Sequence, residues 1–291
     1  MIKQKIEKMT FSSGQQAALD YILQMEYQIK HMSVHDIAKA SYTSASTVVR
    51  LAQKLGYQGF EEFKHEFLKE LTYQDSHFQD INPNFPFQQN DSIQNIAGKI
   101  TQLSKEAMDD TLSLITHDTL QKALQILKKA QVIHLSAISY PLLLGQMFQL
   151  NMNRLGKMVN IPLVMGEELF TLSTMKKEDC LLLISYSGQI ENMIKLAQSA
   201  KAKGIPIIVI TSLGDNQLKQ YSDVVLYIST REKLYSKIGG FVNENSIKLI
   251  LDILYSCYFQ MDYEENIHRR IDISKQSEHN RFATYEVMKE E

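Results

Sequence analysis

Short apolar runs alternate with helical patterns through the C-terminal two-thirds of the chain. In the clearest example, an apolar run at residues 181–184 leads into a polar turn at 185–188, and a second apolar run follows at 205–210. Between them, apolar residues recur at helical spacing, namely Ile190, Met193, Ile194 and Ala197. This order predicts strand, turn, helix and strand. Strands that are apolar on both faces are typical of a parallel sheet covered by helices.

Three more apolar runs continue the alternation, at residues 131–136, 157–162 and 224–228. Five strands separated by helices predict a doubly wound α/β domain with a five-stranded parallel sheet. Right-handed crossovers place the turn at 185–188 at the carboxyl edge of this sheet, where open α/β folds bind ligands. Its two hydroxyls, its glycine and the helix start after it suit an anion or phosphate site, although a structural cap uses the same groups.

Helical patterns flank this domain on both sides. Residues 92–128 predict helices that cover the sheet edge or build a dimer surface. Residues 243–260 predict a long apolar helix, for which dimerisation, lid packing and core burial are alternatives.

The N-terminal part of the chain predicts only helices. An amphipathic helix at 13–28 precedes two short helices joined by a tight turn, with Ser33 and Ser44 as their N-caps and Gly56 ending the second. The apolar residues expected to form one small core are Ile37, Ala38, Val48, Leu51 and Leu55. The spacing of these residues is typical of a helix-turn-helix. The second helix is predicted to project Ser46, Thr47, Arg50 and Lys54 outward.

Basic and acidic residues are distributed unevenly along this N-terminal part. Residues 1–78 carry nine Lys or Arg and nine Asp or Glu, yet between Lys39 and Phe60 there are three basic residues and no acid. A locally basic face on a neutral domain is what contact with DNA phosphates requires. The alternative is a helical hairpin that packs on another protein and leaves a solvated basic face.

Composition excludes several classes. The chain has 291 residues, a net charge of −2 and 44% hydrophobic residues, enough for two domains with at least one sizeable core. Two cysteines without Cys-x-x-Cys spacing argue against a zinc site or a disulfide framework, and no metal or cofactor is expected. The N-terminus lacks a signal-peptide pattern and no apolar run approaches the roughly 18 residues of a membrane span, so a cytoplasmic location is expected.

Two segments resemble known families. The segment at 44–64 closely resembles the signature of RpiR-type bacterial regulators, approximately Ser-x-x-Thr-Val-x-Arg followed by Leu-Gly-Phe-x-Gly-Phe-x-Glu-Phe. Tyr42 is a departure, because this turn often carries glycine and a tyrosine with positive φ would be strained. The region at 185–211 resembles the sugar isomerase (SIS) domain, whose turn usually reads Ser-x-Ser-Gly-x-Thr and holds a sugar phosphate. Here Ile190 stands in the threonine position.

A second SIS turn, usually similar to Gly-x-Gly-x-Ser, follows the first strand. Ser136 and Ile138 occupy the glycine positions, while Ser139 is retained. RpiR-type regulators join an N-terminal helix-turn-helix to a C-terminal SIS domain, and both resemblances occur here in that order. We therefore predict a helix-turn-helix domain at 1–78, a linker at 79–91, a SIS effector-binding domain with leading helices at 92–262, and a charged tail or helix at 263–291.

The resemblance implies a transcriptional regulator of carbohydrate metabolism that binds DNA and senses a sugar phosphate. Ser46, Thr47 and Arg50 would approach bases or phosphates, while Ser44 and Lys54 would anchor the DNA backbone. The residues implied to line the effector site are Ser136, Ser139, Ser185, Ser187, Gly188 and Gln189. A homodimer or tetramer would bind a palindromic operator and transmit the effector signal through the SIS dimer.

Two alternatives remain open. The altered SIS turns would suit a regulator whose SIS domain binds a non-phosphorylated molecule or only dimerises. An aldose–ketose isomerase would need a general base, and the candidates His134, Glu167, Glu168 and Glu244 form no arrangement that supports catalysis. We therefore predict a protein that is not an enzyme.

Overall fold

The computed structural model describes residues 2–7, 9–77, 81–162, 167–277 and 285–288. The chain divides into two compact units, Met1–Ile81 and Asn82–Glu291. Each unit has its own hydrophobic core.

The N-terminal unit is helical. Its α-helices are α1 (Ile2–Glu7), α2 (Ser13–Met25), α3 (Val34–Ala40), α4 (Ala45–Lys54) and α5 (Phe60–His77), with a 3₁₀ helix at Glu26–His31. Ser33 caps α3 in a capping box with Asp36, and Ser44 caps α4 by accepting a hydrogen bond from the Thr47 amide. The predicted core is confirmed, because Ile37, Ala38, Val48, Leu51 and Leu55 are all buried.

The C-terminal unit alternates helices and strands. Its helices are α6 (Ile93–Leu114), α7 (His117–Lys129), α8 (Tyr140–Arg154), α9 (Glu168–Thr174), α10 (Glu191–Ala202), α11 (Phe241–Gln260) and α12 (Tyr263–Ser277). Its strands are β1 (Ile133–Ala137), β2 (Val159–Asn160), β3 (Cys180–Ile184), β4 (Ile207–Thr211) and β5 (Val224–Tyr227).

All five strands pair in parallel in the order β2-β1-β3-β4-β5. The predicted fold is therefore confirmed. Separate buried clusters cover the two faces: β1 and α11 belong to one, and α10 belongs to the other. The strand order reverses between β1 and β3, and the carboxyl ends of these two strands define the crevice in which doubly wound folds bind ligands.

The long apolar helix α11 serves mainly as core. Its side chains Ile247, Ile250, Leu251 and Leu254 are buried in the same hydrophobic cluster as the sheet. Exposed apolar side chains occur instead on α8, where Leu143, Met147 and Leu150 are each at least half exposed.

Part of the predicted linker packs on the C-terminal unit. Pro83, Asn84 and Pro86 are buried, and Asn84 is hydrogen-bonded to the loop that follows β5. Residues 79 and 80 of that linker lie outside the described residues.

The predicted C-terminal tail begins as α12, whose Arg269 donates to the carbonyl of Leu155 at the end of α8. Its residues 278–284 and 289–291 lie outside the described part of the chain. Among the described residues, no helix is long and apolar enough to span a bilayer.

Candidate effector cleft and DNA-binding face

A cleft of about 490 Å³ lies at the carboxyl ends of β1 and β3. One wall is the turn after β1, from Ile138 to Pro141, and another is the turn after β3, from Ser185 to Ser187. The loop after β5 and the first turn of α11 complete it with Leu234, Tyr235, Lys237, Ile238, Gly239, Gly240, Asn243 and Glu244. Three of the predicted effector residues, Ser139, Ser185 and Ser187, meet here.

The turn after β1 is strained. Ser139 has φ 63° and ψ −136°, and it is one of three non-glycine residues with positive φ in the described part of the chain. These backbone angles are unfavourable for every residue that carries a Cβ, and only glycine adopts them without steric cost. Ser136, by contrast, lies within β1 opposite Leu183, is buried and does not line the cleft.

The turn after β3 uses its two serine side chains to fix its own backbone. Ser185 Oγ accepts from the Gly188 amide at 3.1 Å, and Ser187 Oγ accepts from the Gln189 amide at 3.3 Å. Because each hydroxyl is acting as an acceptor, its proton can still be donated to a ligand oxygen. Both hydroxyls are therefore oriented by the turn and equipped to bind an anion.

Gly188 has a packing role in this turn. Its φ is 61°, and a Cβ placed on it would collide with the side chain of Asn216. Asn216 is itself held by donating to Thr211 Oγ1 at 3.0 Å. Neither Gly188, which is buried, nor the exposed Gln189 is among the described residues that line the cleft.

A network that the sequence analysis missed joins this turn to the loop after β5. Tyr186 donates its hydroxyl to the Glu232 carbonyl at 2.7 Å. The Glu232 carboxylate is buried, accepts from the Val242 amide at 2.6 Å and pairs with Lys237 at 2.7 Å. No motif marks these residues, because the fold brings them together from separate turns.

The lining of the cleft combines the ammonium group of Lys237 with the carboxylate of Glu244, while the Glu232 carboxylate that pairs with Lys237 is buried and does not line the cleft. Burial, and next the neighbouring Glu232, raise the pKa of Glu244, while Lys237 opposes that shift. Burial also raises the pKa of Tyr186 above its ordinary value, so its hydroxyl stays protonated and serves as a donor. The cleft thus offers donors for an anion together with one carboxylate, that of Glu244, as an acceptor for hydroxyl groups.

The candidate general bases are dispersed. Among those whose side chains the structure describes, Glu244 alone lines the cleft. His134 lies near the start of β1, where it contacts Asn160 Nδ2 at 3.2 Å and the Asp179 carboxylate at 3.6 Å. Glu167 is exposed before α9, and the Glu168 side chain lies outside the described atoms. The described residues also contain no cluster of three or more metal-ligating side chains.

The predicted DNA-binding residues lie on and beside α4. Ser44, Ser46 and Arg50 are exposed. Ser44 Oγ lies 2.9 Å from both Ser46 Oγ and Thr47 Oγ1, so the three hydroxyls form one cluster at the helix N-terminus. This cluster presents hydroxyl and amide donors on the same end of the helix, an arrangement suited to a phosphate oxygen.

Two of the predicted residues are engaged within the unit. Thr47 is half-buried, and a Cβ placed on Gly14 of α2 would lie 3.4 Å from its methyl group. Lys54 is exposed, but its ammonium group donates to the Thr10 carbonyl at 2.6 Å and lies 5.3 Å from the centre of the Phe11 ring. Lys54 is therefore exposed, as expected for a side chain that projects outward, while Thr47 is half-buried because the segment before α4 packs beside that helix.

The exposed face of α4 includes a residue that the sequence analysis missed. Gln53 is exposed and lies seven residues after Ser46, with Arg50 between them, so the three share one helical face. This helical spacing would have identified it. The turn before α4 also presents Tyr42, which has φ 53° and is 97% exposed.

Both units match families of known proteins. Residues 1–74 match the helix-turn-helix domain of the rpiR family, and residues 126–251 match the SIS domain. An uncharacterized HTH-type transcriptional regulator of Caldanaerobacter subterraneus subsp. tengcongensis is 24% identical over 260 residues, covering 88% of this chain and 89% of the relative.

Two solved structures share the fold. The NanR protein of Vibrio vulnificus, complexed with ManNAc-6P, has a TM-score of 0.60 and 20% identity, covering 97% of this chain and 98% of NanR. The sugar isomerase domain of an RpiR transcription factor from Sphaerobacter thermophilus has a TM-score of 0.55 and 14% identity, covering 62% of this chain and 98% of that domain.

These matches define the class of protein. A helix-turn-helix unit followed by a SIS unit is the architecture of an HTH-type transcriptional regulator. More specifically, the chain belongs to the RpiR family of transcriptional regulators.

Proposed function

We propose that this regulator binds DNA through α4 and senses a sugar phosphate in the cleft between the turns after β1 and β3. The observation that carries the proposal is the meeting of Ser139, Ser185 and Ser187 with Lys237 at the point where the strand order reverses. Hydroxyl donors and one ammonium group suit a phosphate, and the carboxylate of Glu244 suits the hydroxyl groups of a sugar.

The phosphate end of the effector is assigned to the two serine turns. Ile190 lines the cleft at the N-cap of α10, and its side chain has no oxygen to accept from the first amides of that helix. Those amides therefore add donors near Ser187. The related fold of NanR, complexed with ManNAc-6P, supports an effector of this chemical class.

DNA contact is assigned to the exposed face of α4. Arg50 would reach a base edge or a phosphate, Ser46 and Gln53 would lie on the same face, and the Ser44 cluster would bind the backbone. Thr47 would act mainly by supporting Ser44, and Lys54 would contact DNA only after releasing Thr10.

We further propose that two copies of the chain act together on a palindromic operator, because a single α4 reads only one half-site. The exposed apolar residues of α8, Leu143, Met147 and Leu150, supply a surface for self-association. A homodimer is the smallest assembly that meets this requirement, and a tetramer meets it as well.

Isomerase activity is the second candidate, because Glu244 lines the cleft and burial raises the pKa of this carboxyl above its ordinary value. We favour regulation without catalysis, since His134 hydrogen-bonds at the opposite end of β1 and leaves Glu244 as a lone carboxylate.

A thermal-shift panel of sugar phosphates and their unphosphorylated parents tests the effector assignment. A ligand at 100 times its Kd stabilises the native state by about 2.7 kcal/mol. For a unit of this size that corresponds to roughly 5–10 °C. Shifts confined to phosphorylated compounds, and reduced in Ser185→Ala but not in the exposed control Asn90→Ala, would support the proposal. Shifts from unphosphorylated parents alone would replace it with a different ligand class.

A further inference from the structure

One residue of the segment that joins the two units holds the loop after β5. Asn84 is only 8% exposed, although it lies in a stretch rich in polar residues and proline. Its side-chain Oδ1 accepts from the Lys233 amide at 2.7 Å, and its main-chain carbonyl accepts from the Ile238 amide at 3.0 Å. Asn84 therefore binds the loop at two points five residues apart.

The portion of loop between those two points lines the effector cleft. Leu234, Tyr235 and Lys237 lie within it, and Ile238 lines the cleft itself. We call residues 233–238 the cleft loop. Any ligand that contacts this wall of the cleft touches residues whose backbone is held by Asn84.

Neighbouring residues of the same segment fix the position of Asn84. Asn82 Oδ1 accepts from the Asn84 amide at 2.9 Å and from the Phe85 amide at 3.3 Å, which closes a tight turn around Asn84. Pro83 and Pro86 are buried on either side. The two prolines restrict the backbone, and the turn fixes the direction in which Asn84 presents its acceptors.

The opposite end of the network reaches the serine turn. Tyr186, between Ser185 and Ser187, donates to the Glu232 carbonyl at 2.7 Å, and the Glu232 carboxylate pairs with Lys237 at 2.7 Å. Hydrogen bonds and one ion pair, joined through the backbone of Glu232 and the cleft loop, therefore connect the serine turn to Asn84.

We propose that Asn84 is a positioning residue that couples the cleft loop to the segment leading to the DNA-binding unit. The inference rests on the proposed function of both units. A ligand that favours one arrangement of the cleft loop would change the anchoring of Asn84, and with it the point at which the N-terminal unit is tethered. Reciprocity then requires that DNA binding change the affinity of the cleft for its ligand.

The alternative is that Asn84 only stabilises the C-terminal unit. Both roles predict that removing its side chain frees the Lys233 amide. Only the coupling role predicts an effect on DNA affinity, because Asn84 belongs to the C-terminal unit and α4 to the other.

The test uses the full chain and needs no identified effector. A duplex is selected from a random DNA library with the wild-type protein, and its Kd is measured by fluorescence anisotropy. The variants are Asn84→Ala, the acceptor-retaining Asn84→Asp and the control Asn90→Ala, which removes an exposed asparagine from the same segment. Hydrogen exchange of peptides covering residues 231–240 is followed in each.

In Asn84→Ala we expect exchange in the cleft loop to be about five- to ten-fold faster, as the loss of one hydrogen bond implies. We expect the Kd of Asn84→Ala for the selected duplex to change at least three-fold. Asn84→Asp should return both the exchange rate and the Kd most of the way to the wild-type values, and Asn90→Ala should match the wild type. Faster exchange with an unchanged Kd would reduce Asn84 to a structural anchor and overturn the proposal, as would no change in either readout.

A double-variant cycle tests the network itself. Tyr186→Phe removes only the hydroxyl that binds Glu232. If one network carries the coupling, the change in DNA Kd of the double variant will equal that of Asn84→Ala alone instead of the product of the two single changes. A full product would show that Tyr186 and Asn84 act independently, and the coupling route proposed here would be wrong.

Failure of the underlying DNA-binding assignment gives a different result. Arg50→Ala is measured beside these variants, with Lys30→Ala as an exposed cation elsewhere in the unit. If the wild type selects no duplex, or if Arg50→Ala binds as well as the wild type, the proposed role of α4 fails. If Arg50→Ala alone loses DNA and Asn84→Ala does not, only the coupling role of Asn84 fails.

Discussion

Replacing Ser139 with glycine should make the C-terminal unit more stable. Ser139 holds φ 63° and ψ −136° in the turn after β1, a region that glycine occupies without steric cost. A residue with a Cβ in such a sparsely populated backbone region costs about 1–3 kcal/mol. Glycine returns roughly 0.4–1 kcal/mol of this through the greater entropy of the unfolded chain. The net gain expected for Ser139→Gly is about 1 kcal/mol.

For a domain of 150–250 residues, that gain corresponds to an increase in Tm of about 2–4 °C. Differential scanning calorimetry measures it, with the transition of the C-terminal unit identified by its response to a ligand from the thermal-shift panel. Ser139→Ala is the matched control, because it keeps the Cβ and removes only the hydroxyl. We expect Ser139→Ala to keep the wild-type Tm and, like Ser139→Gly, to bind a phosphorylated ligand more weakly.

A wild-type or lower Tm for Ser139→Gly would refute the strain argument. A strained residue retained beside a ligand site implies that the side chain has a use there. If both variants bound every ligand of the panel as well as the wild type does, the Ser139 hydroxyl would have no role in binding, and the strain would have no functional explanation.

Three further outcomes follow from the same reasoning. Tyr42→Gly should raise the Tm of the N-terminal unit slightly, because the strain of about 1–2 kcal/mol at φ 53° exceeds the roughly 0.4–1 kcal/mol that glycine costs through the unfolded chain, and the exposed ring has no packing to lose. A lower Tm would show that the ring is packed. Because the pKa of Glu244 is raised from its ordinary 4.5 on folding, the folded state binds this proton more tightly, so stability should fall as pH rises from 4.5 through the raised pKa. Urea unfolding from pH 4 to 8 should show a shallower fall in Glu244→Gln than in the wild type, and identical profiles would contradict the shift. Lys237→Met should weaken the binding of a phosphorylated ligand about ten-fold or more, because a hydrogen bond to a charged group contributes about 1.5–3 kcal/mol. The affinity for the unphosphorylated parent should be nearly unchanged. Calorimetric titration measures both affinities.

The fold could be predicted from the sequence because its main determinants are local and periodic. Each strand is a short apolar run ended by a turn, and the helices repeat their apolar residues every three or four positions. The helix-turn-helix was predicted for the same reason, with Ser33 and Ser44 marking both helix starts. The sequence also marked Tyr42 as a position where a positive φ would cause strain, and the structure gives it φ 53°.

The cleft could be predicted only in part. Ser139, Ser185 and Ser187 follow strands, so topology alone brings them to one edge of the sheet. Glu232, Lys237 and Asn84 lie in irregular segments whose positions depend on tertiary contacts, which no periodicity encodes. Ser136 was assigned to the site by comparison with a glycine position, but its place inside β1 keeps it out of the cleft.

The N-terminal unit shows the same limit at the level of single side chains. Helical spacing correctly placed Arg50 on the exposed face of α4. It could not show that Lys54 would donate to Thr10, because that contact joins residues 44 positions apart.

We propose that a ligand in the cleft controls DNA binding by α4. The most direct test of this claim is the Kd of the full chain for its selected duplex, measured in the presence of each sugar phosphate of the panel. We predict that at least one phosphorylated compound changes this Kd five-fold or more in the wild type. The change should be lost in the Ser185→Ala/Ser187→Ala double variant, which removes both hydroxyls of the turn after β3. A Kd that no compound alters, or that changes equally in the double variant, would contradict the claim.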